Sequence, residues 1–190
     1  MEDDDFYQFE QVKLEVKDFP SEGFILDIGG GGEGVIGKLK GRDVVAIDLR
    51  IDELEETDDG PLKIVMDARD LKFLDSSFNT ATAFFSLMYI KTQQDQEKIL
   101  EETCRVLKPG GYFHLWDIDL DRRPETDKEF YIVFLRYRVG EEEKGTGFGQ
   151  RWPDGSRGEK YYLSLAEAAG LRHISTRRNK HTFYMKFQKR

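Results

Sequence analysis

The chain has 190 residues, of which 38% are hydrophobic and 13% aromatic, and its formal net charge is −8. The length predicts one domain over residues 1–190 with a real hydrophobic core, and the composition excludes an intrinsically disordered chain. A single cysteine excludes a disulfide framework and a cysteine metal cluster. No apolar run approaches the ~20 residues of a membrane span. We therefore expect a soluble, cytoplasmic protein without a metal or a membrane partner.

Charge is distributed unevenly along the chain. Residues 1–60 hold 18 acidic and 6 basic residues, whereas residues 161–190 hold 1 acidic and 7 basic residues. Nucleic-acid binding needs a basic footprint for the phosphates, so the acidic body disfavours nucleic acid as a partner. The basic end alternates charged with apolar residues, which favours a solvated strand face over an RNA-binding patch.

The first 20 residues fit a helix and a strand equally well, and strand-like apolar runs then alternate with helical segments. The runs are residues 24–28, 44–47, 62–66, 80–85 and 112–116. They are apolar on both faces, which suits parallel strands covered by helices on either side. The clearest helix is predicted for residues 93–107, with Thr92 as N-cap and Asp95 as its capping-box partner.

The alternation of strands and helices stops after residue 116. Residues 118–160 are predicted as an insertion, in which residues 130–139 alternate with the period of a strand. A short helix is predicted for residues 163–169. Runs at residues 171–176 and 182–187 then predict a terminal hairpin.

A glycine-rich loop follows the first predicted strand. Residues 26–34 read LDIGGGGEG, and a short helix is predicted directly after them. Gly29, Gly31 and Gly34 match the spacing of the dinucleotide fingerprint, and Asp48 lies 19 residues after Gly29. Because several nucleotide-type ligands use such a loop, the spacing alone leaves the ligand open.

Two carboxylates at this loop distinguish between the candidate ligands. Asp27 lies two residues before the first glycine, and Glu33 lies inside the loop. A pyrophosphate prefers a helix N-terminus free of anions, and each nearby carboxylate would oppose it by ~1–4 kcal/mol at an intermediate dielectric. The same carboxylates favour S-adenosylmethionine, which carries an ammonium and a sulfonium and has no phosphate.

Taken together, these motifs resemble those of the class I S-adenosylmethionine-dependent methyltransferases, of the type 11 group that is similar to ubiquinone/menaquinone methyltransferases. Residues 26–31 (LDIGGG) resemble the first motif of the family and residues 45–48 (VAID) the second. Residues 66–68 (MDA) occupy the adenine-binding place, and residues 105–111 (RVLKPGG) resemble the turn into the fifth strand. Glu33 departs from the pattern, because the family usually has a third glycine there.

The fold implied by this resemblance is α/β and Rossmann-like. It has a mostly parallel, seven-stranded sheet in the order 3-2-1-4-5-7-6, with strand 7 antiparallel and helices on both faces. A small antiparallel insertion would follow strand 5.

The resemblance also implies S-adenosylmethionine as the cofactor and assigns residues to its methionine end. Asp27 would lie near the amino group, and a carbonyl of Phe84 or Phe85 would complete the ammonium site. The methionine part would run along three glycines of the loop, Gly29, Gly30 and Gly31.

At the adenosine end, the resemblance assigns residues that follow the second and third strands. Asp48 would accept hydrogen bonds from the ribose hydroxyls, and Leu49 would pack on the adenine. Asp67 would accept from the exocyclic amine of adenine, and the N–H of Ala68 would donate to the ring.

Substrate-side residues are expected at the carboxyl ends of the fourth and fifth strands, where open α/β sheets bind ligands. These are Met88 and Tyr89 after the fourth strand and Asp117 at the end of the fifth. Asp117 is the candidate general base, although methyl transfer depends mainly on alignment and exclusion of water. His114 lies in mid-strand, which favours a core residue over a base.

Residues 118–160 are predicted to fold as an antiparallel flap over the substrate pocket. An excursion of this length is usually functional or disordered, and residues 130–139 are too apolar for disorder. Arg136 and Arg138 share one face of this strand, and two neighbouring arginines can clamp a carboxylate or phosphate. We therefore expect one of them to face an anionic group on a small-molecule substrate.

The predicted function is S-adenosylmethionine-dependent methyl transfer to a small-molecule acceptor by in-line displacement. Three alternatives stay open at this point. They are an S-adenosylmethionine-binding protein without catalysis, an RNA methyltransferase that uses the basic C-terminal hairpin, and an NAD-dependent oxidoreductase.

Overall fold

Strands and short helices alternate through the computed structural model, which describes residues 5–121 and 123–190. The strands are β1 (Phe6–Gln8), β2 (Val12–Glu15), β3 (Ile25–Ile28), β4 (Val44–Asp48), β5 (Leu62–Val65), β6 (Phe78–Phe84), β7 (Leu107–Ile118), β8 (Phe130–Val139), β9 (Glu142–Arg151), β10 (Leu171–Asn179) and β11 (Thr182–Lys189). The helices are α1 (Val35–Lys40), α2 (Ile51–Glu56), α3 (Gln93–Val106) and α4 (Glu159–Ala168). Within the described ranges, no helix is long and apolar enough to cross a lipid bilayer.

Seven of the described strands form the main sheet, in the order β10-β11-β7-β6-β3-β4-β5. Strands β3 to β7 pair in parallel, and β11 is antiparallel to both β7 and β10. Counted in chain order, this is the predicted arrangement 3-2-1-4-5-7-6 with strand 7 antiparallel. The predicted fold class is therefore confirmed.

Apolar clusters cover the two faces of the main sheet. One face packs against α3 and α4, through residues such as Ile99, Leu100 and Leu165. The other face packs against α1, α2 and a second, smaller sheet. The N-terminus of α3 is capped as predicted, because the backbone N–H of Asp95 donates to the Thr92 hydroxyl oxygen at 3.1 Å. Helix α4 begins at Glu159, four residues before the predicted start. The sequence did not predict this first turn, because the turn lacks apolar periodicity.

The smaller sheet is built around β8. Strand β9 pairs with β8 in antiparallel fashion, and β1 and β2 both pair with it in parallel. The predicted insertion thus contains an antiparallel hairpin, and the N-terminal segment, which fitted helix or strand equally, supplies two strands to it. Tyr131, Val133 and Leu135 are buried between this sheet and the main one, in the cluster that also contains Trp116 and Phe84.

Candidate functional site

A cavity of about 720 Å³ opens at the carboxyl ends of β3, β4 and β6. Its wall includes all the residues predicted to hold the cofactor, which are Asp27, Gly29, Gly30, Gly31, Asp48, Leu49, Asp67, Ala68, Phe84 and Phe85. They come from separate segments of the sequence and meet because parallel strands end at one edge of a sheet. The volume lies in the range of small-molecule sites. Their contacts with a cofactor stay a prediction.

The glycine loop is packed tightly against its neighbours. Gly29 has a φ of 67°, and a Cβ added there would overlap the Cβ of Ser86. A Cβ added at Gly30 would lie 2.8 Å from Oδ2 of Asp27 and 2.9 Å from the Cβ of Ala46. These two positions therefore need glycine because of contacts within the protein itself.

Replacing Gly29 by alanine is expected to destabilise the fold. An L-residue at positive φ costs ~1–2 kcal/mol, and overlap with Ser86 adds a further ~1–3 kcal/mol. Gly23→Ala is the matched control, because Gly23 has a φ of 66° and nothing lies within 4 Å of an added Cβ. Urea unfolding should show the larger loss of unfolding free energy for Gly29→Ala, and equal losses in the two variants would contradict the contact with Ser86.

Asp27 places a buried carboxyl group beneath the loop. It is 3% exposed, and its Oδ1 accepts a hydrogen bond from the Thr82 hydroxyl at 2.6 Å. Burial raises the pKa of the Asp27 carboxyl to about 7, and the Thr82 hydrogen bond opposes this rise. A cationic group bound beside Asp27 would favour its ionised form.

Asp48 ends β4 at the rim of the same cavity. Its Oδ1 accepts a hydrogen bond from the backbone N–H of Arg50 at 3.0 Å. Its Oδ2 would lie 3.0 Å from a Cβ added at Gly31, so the glycine leaves the space above this oxygen open. Glu53 also lines the cavity, and burial raises the pKa of its carboxyl group. This acidic rim disfavours a pyrophosphate and suits a ligand with hydroxyls and a positive charge.

Asp67 is held by an arginine that the sequence reasoning missed. Arg69 donates to Oδ1 of Asp67 from its backbone N–H at 2.9 Å and to Oδ2 from its guanidinium at 2.7 Å. The same guanidinium pairs with Asp95 at 3.0 Å. The hydrogen bonds from Arg69 lower the pKa of the Asp67 carboxyl. Any adenine amine that binds Asp67 therefore shares this carboxylate with Arg69.

The β8–β9 hairpin reaches the glycine loop. The Thr146 hydroxyl donates to the Glu33 carboxylate, and Gly147 and Phe148 form part of the cavity wall. Phe148 stacks on Phe85 with ring centroids 5.2 Å apart and an interplanar angle of 1°. Glu33, which replaces the usual third glycine, thus joins the loop to the hairpin.

The arginines of β8 do not face this cavity. Arg136 and Arg138 lie on the outward face of the strand and pair with Glu143 of β9 at 3.3 Å and 2.9 Å. The expectation that one of them faces an anionic substrate group is therefore wrong. The periodicity of β8 correctly grouped the residues on each face, and the wholly apolar face is the buried one.

A second cavity, of about 620 Å³, lies beside the first, and Lys91 lines both. Met88 lines the second cavity and Tyr89 the first, so the short turn that carries both residues separates the two spaces. Asp117 and Tyr162 also line the second cavity.

Asp117 is fully buried at the end of β7. Its Oδ1 accepts a hydrogen bond from the backbone N–H of Ile118 at 2.8 Å, and hydrogen bonds from the Tyr162 hydroxyl and the Met88 backbone N–H also lower the pKa of the carboxyl group. Burial raises the pKa of the Asp117 carboxyl to about 7. A group that titrates near neutral pH and borders a cavity is suited to accept a proton.

His114 is a core residue, as predicted. Its Nδ1 lies 2.8 Å from the Tyr184 hydroxyl oxygen, and its ring stacks on Phe19 at 4.4 Å. Burial lowers the pKa of His114 to about 3. The imidazole is therefore neutral at physiological pH and lies outside both cavities.

The sequence reasoning missed the remaining walls of the second cavity. Trp152, Tyr131 and Arg157 line it, and none of them belongs to a recognisable motif. Trp152 begins the stretch WPDG at residues 152–155, whose composition is typical of a turn. Its pairing with Tyr131, at a ring-centroid distance of 4.8 Å, depends on the packing of the smaller sheet.

Known proteins resemble this chain in sequence over part of its length. Residues 26–115 match the family model described as a methyltransferase domain. The sterol 4-C-methyltransferase strm-1 of Caenorhabditis elegans is 36% identical over 80 residues, which are 40% of this chain and 23% of that protein. The chain thus matches under a quarter of the length of that curated relative.

Solved structures resemble it over most of its length. An S-adenosylmethionine-dependent methyltransferase from Methanosarcina mazei is 21% identical with a TM-score of 0.65, and the match covers 90% of this chain and 94% of that chain. The CcbJ methyltransferase from Streptomyces caelestis is 13% identical with a TM-score of 0.64, covering 90% of each chain. The [4+2]-cyclase SpnF is 16% identical with a TM-score of 0.62, covering 89% of this chain and 76% of that chain. These likenesses show the fold.

Proposed function

We propose that this chain is a class I S-adenosylmethionine-dependent methyltransferase, since residues 26–115 match the model of a methyltransferase domain. In this proposal it transfers a methyl group to a small-molecule acceptor by in-line displacement. The observation that carries the proposal is the pair of adjoining cavities, one with an acidic rim and glycine loop and the other with the buried carboxyl group of Asp117. We also propose that residues 1–190 act as one domain, with residues 118–160 as its substrate-side insertion.

The larger cavity fits S-adenosylmethionine by the chemistry of its walls. Asp27 would face the cationic amino group, and the open side of Asp48 would face the ribose hydroxyls. Leu49 is 59% exposed at the cavity rim and offers an apolar surface to the adenine. Asp67 and the backbone N–H of Ala68 would hydrogen-bond to the adenine, with Arg69 beside them.

When bound, the cofactor supplies a methyl group that its positive sulfur has already activated. The residues of this chain would hold the acceptor in line, exclude water and take up a proton. Phe84, Phe85 and Phe148 make the inner end of the cofactor cavity apolar. Met88 and Tyr89 would line the approach of the acceptor, and Asp117 would take the proton that the acceptor loses.

A small-molecule acceptor agrees with two observations. The curated relative from Caenorhabditis elegans is named as acting on a sterol, which is a small molecule. The second cavity has a volume of about 620 Å³, which suits a ligand of drug-like size.

Calorimetry with S-adenosylmethionine, S-adenosylhomocysteine and NAD tests the cofactor assignment. We expect micromolar or tighter affinity for the first two and none for NAD, because the carboxylates at the loop oppose a pyrophosphate. Binding of NAD with no binding of S-adenosylmethionine would overturn the proposal.

A second candidate function is S-adenosylmethionine binding without methyl transfer. It is favoured by the likeness to a protein named as a [4+2]-cyclase, since this fold hosts more than one reaction. Screening metabolites for uptake of a labelled methyl group separates the two candidates. Tight cofactor binding with no acceptor found, and no release of S-adenosylhomocysteine, would favour the second.

A further inference from the structure

The side chains that line the second cavity differ in their exposure. Most of the apolar ones are buried and form its floor, namely Met88, Ile118, Leu120, Tyr131, Trp152 and Tyr162. The lining residues that keep exposed surface are Phe130, Pro153 and five polar residues, Lys91, Gln150, Arg151, Asp154 and Arg157. A ligand in this cavity would therefore meet mainly polar and charged groups.

Three cations line this cavity, and two of them lack a carboxylate partner. Arg151 pairs with Glu129 at 2.7 Å, so its charge is largely neutralised. Lys91 forms no ion pair within the part of the chain that the structure describes. Arg157 donates to two backbone carbonyls, which carry no net charge. The positive charges of Lys91 and Arg157 thus stay uncompensated.

Two carboxyl groups line the same cavity. Asp117 is 0% exposed, and its Oδ1 accepts from the backbone N–H of Ile118 at 2.8 Å, so this group offers little surface to a ligand. Asp154 is exposed in the loop after β9 and lies in no ion pair with Lys91 or Arg157 among the described residues. The accessible, unpaired charges at the cavity are therefore two cations and one carboxylate.

The two cations are neighbours at the border between the cavities. One terminal nitrogen of the Arg157 guanidinium donates to the carbonyl of Ile90 and the other to the carbonyl of Lys91. These bonds hold the guanidinium beside the backbone of Lys91, which lines both cavities. A guanidinium has five N–H donors, so three of them stay available to a ligand.

Two neighbouring positive charges select the charge of what binds between them. An ammonium group would add to their repulsion, and a neutral hydroxyl or amide would leave it in place. A carboxylate or phosphate group removes the repulsion and accepts charge-assisted hydrogen bonds from both side chains.

We propose that the second cavity binds a small molecule through a carboxylate or phosphate group, which accepts hydrogen bonds from Lys91 and Arg157 at the border with the cofactor cavity. That this molecule is also the methyl acceptor rests on the proposed function. The anionic group would then anchor the acceptor next to the cofactor.

The test uses the full chain and four probes that carry the same phenyl ring: benzoate, phenyl phosphate, benzamide and benzylamine. Calorimetry at low ionic strength should show tighter binding of the two anions than of benzamide, and the weakest binding of benzylamine. The tighter of the two anions identifies the anionic group. Added salt should weaken the anions and leave benzamide unchanged.

Variants at the two accessible charges of opposite sign give a second readout. Lys91→Gln should weaken the tighter anion about three- to tenfold, as expected for one exposed charge-assisted hydrogen bond, and Lys91→Arg should largely retain its affinity. Asp154→Asn should tighten the same anion about twofold, because it removes a repelling carboxylate. Lys98→Gln is the matched control, because Lys98 is an exposed lysine that pairs with Glu101 at 3.4 Å and lines neither cavity.

Tightest binding of benzamide or benzylamine, or equal weakening of the anion by Lys91→Gln and Lys98→Gln, would overturn the inference. S-adenosylhomocysteine titrated into the same samples separates it from the proposed function. If Lys91→Gln weakens S-adenosylhomocysteine and not the anion, Lys91 binds the cofactor and the anion site is wrong. If the native chain binds neither S-adenosylhomocysteine nor S-adenosylmethionine, the proposed function fails, and the four probes still decide the anion site.

Discussion

Replacement of Asp48 by alanine is expected to lower the affinity for S-adenosylmethionine roughly 10- to 150-fold, because hydrogen bonds to a charged group are worth ~1.5–3 kcal/mol. Oδ1 of Asp48 already accepts from the backbone N–H of Arg50, which fixes the orientation of the carboxylate at the end of β4. The ribose hydroxyls would meet this fixed carboxylate and would be left without acceptors in the variant. The folded state should survive, since Asp48 is only half-buried at the rim.

Calorimetry on three variants checks this expectation. Asp48→Asn retains an oxygen acceptor without the charge and should lie between the native chain and Asp48→Ala. Asp70→Ala is the control, because Asp70 is an exposed carboxylate that pairs with Lys72 outside the cavity. An unchanged affinity in a folded Asp48→Ala variant would show that the ribose is held elsewhere.

The main sheet and the cofactor cavity could be predicted because their signals are local. Strands buried on both faces read as continuous apolar runs, as in β3 and β4. The glycine loop and the acidic residues after β4 and β5 sit at strand ends, and the parallel sheet brings those ends together. Glycine is required at positions 29 and 30 because a larger side chain would overlap Ser86 and Ala46. These contacts are not visible in the sequence.

The second cavity could not be predicted, because its walls come from the smaller sheet. One face of β8 is wholly apolar and the other carries two arginines, and the apolar face is the buried one, as this alternation indicates. The sequence does not indicate that β1 and β2 pair with β8, because their segment fitted helix and strand equally well. Arg136 was expected in the cleft and lies outside it, on the face that pairs with Glu143.

The affinity for S-adenosylmethionine is also expected to depend strongly on pH through Asp27. Burial, with a smaller contribution from the nearby Asp48, raises the pKa of this carboxyl to about 7 in the free protein. At pH 5 about one molecule in a hundred has Asp27 ionised, so only that fraction offers a negative charge to the cationic amino group of the ligand. Between pH 5 and pH 7 the affinity should therefore rise roughly 50-fold, and above this range the amino group itself begins to lose its proton.

The stability of the free protein should change in the opposite direction. An unfolded aspartate has a pKa of about 3.9, so between about pH 4 and pH 7 the folded protein holds a proton at Asp27 that the unfolded chain releases. The free energy of unfolding therefore falls as the pH rises through this window. Asp117 contributes with the same sign, because burial raises its pKa to about 7 as well. Asp27→Asn should remove the pH dependence of cofactor affinity and leave the contribution of Asp117 to stability in place.

Calorimetry at pH 6 in buffers of different ionisation enthalpy measures this coupling directly. Ionisation of Asp27 on binding should release close to one proton per molecule of S-adenosylmethionine in the native chain and none in Asp27→Asn. The two carboxyl groups are separable by this measurement, because Asp117 lines the second cavity and is not part of the wall around the cofactor. If the native chain binds with the same affinity at pH 5 and pH 7, or if Asp27→Asn still releases the proton, then the amino group of the cofactor is held by another residue.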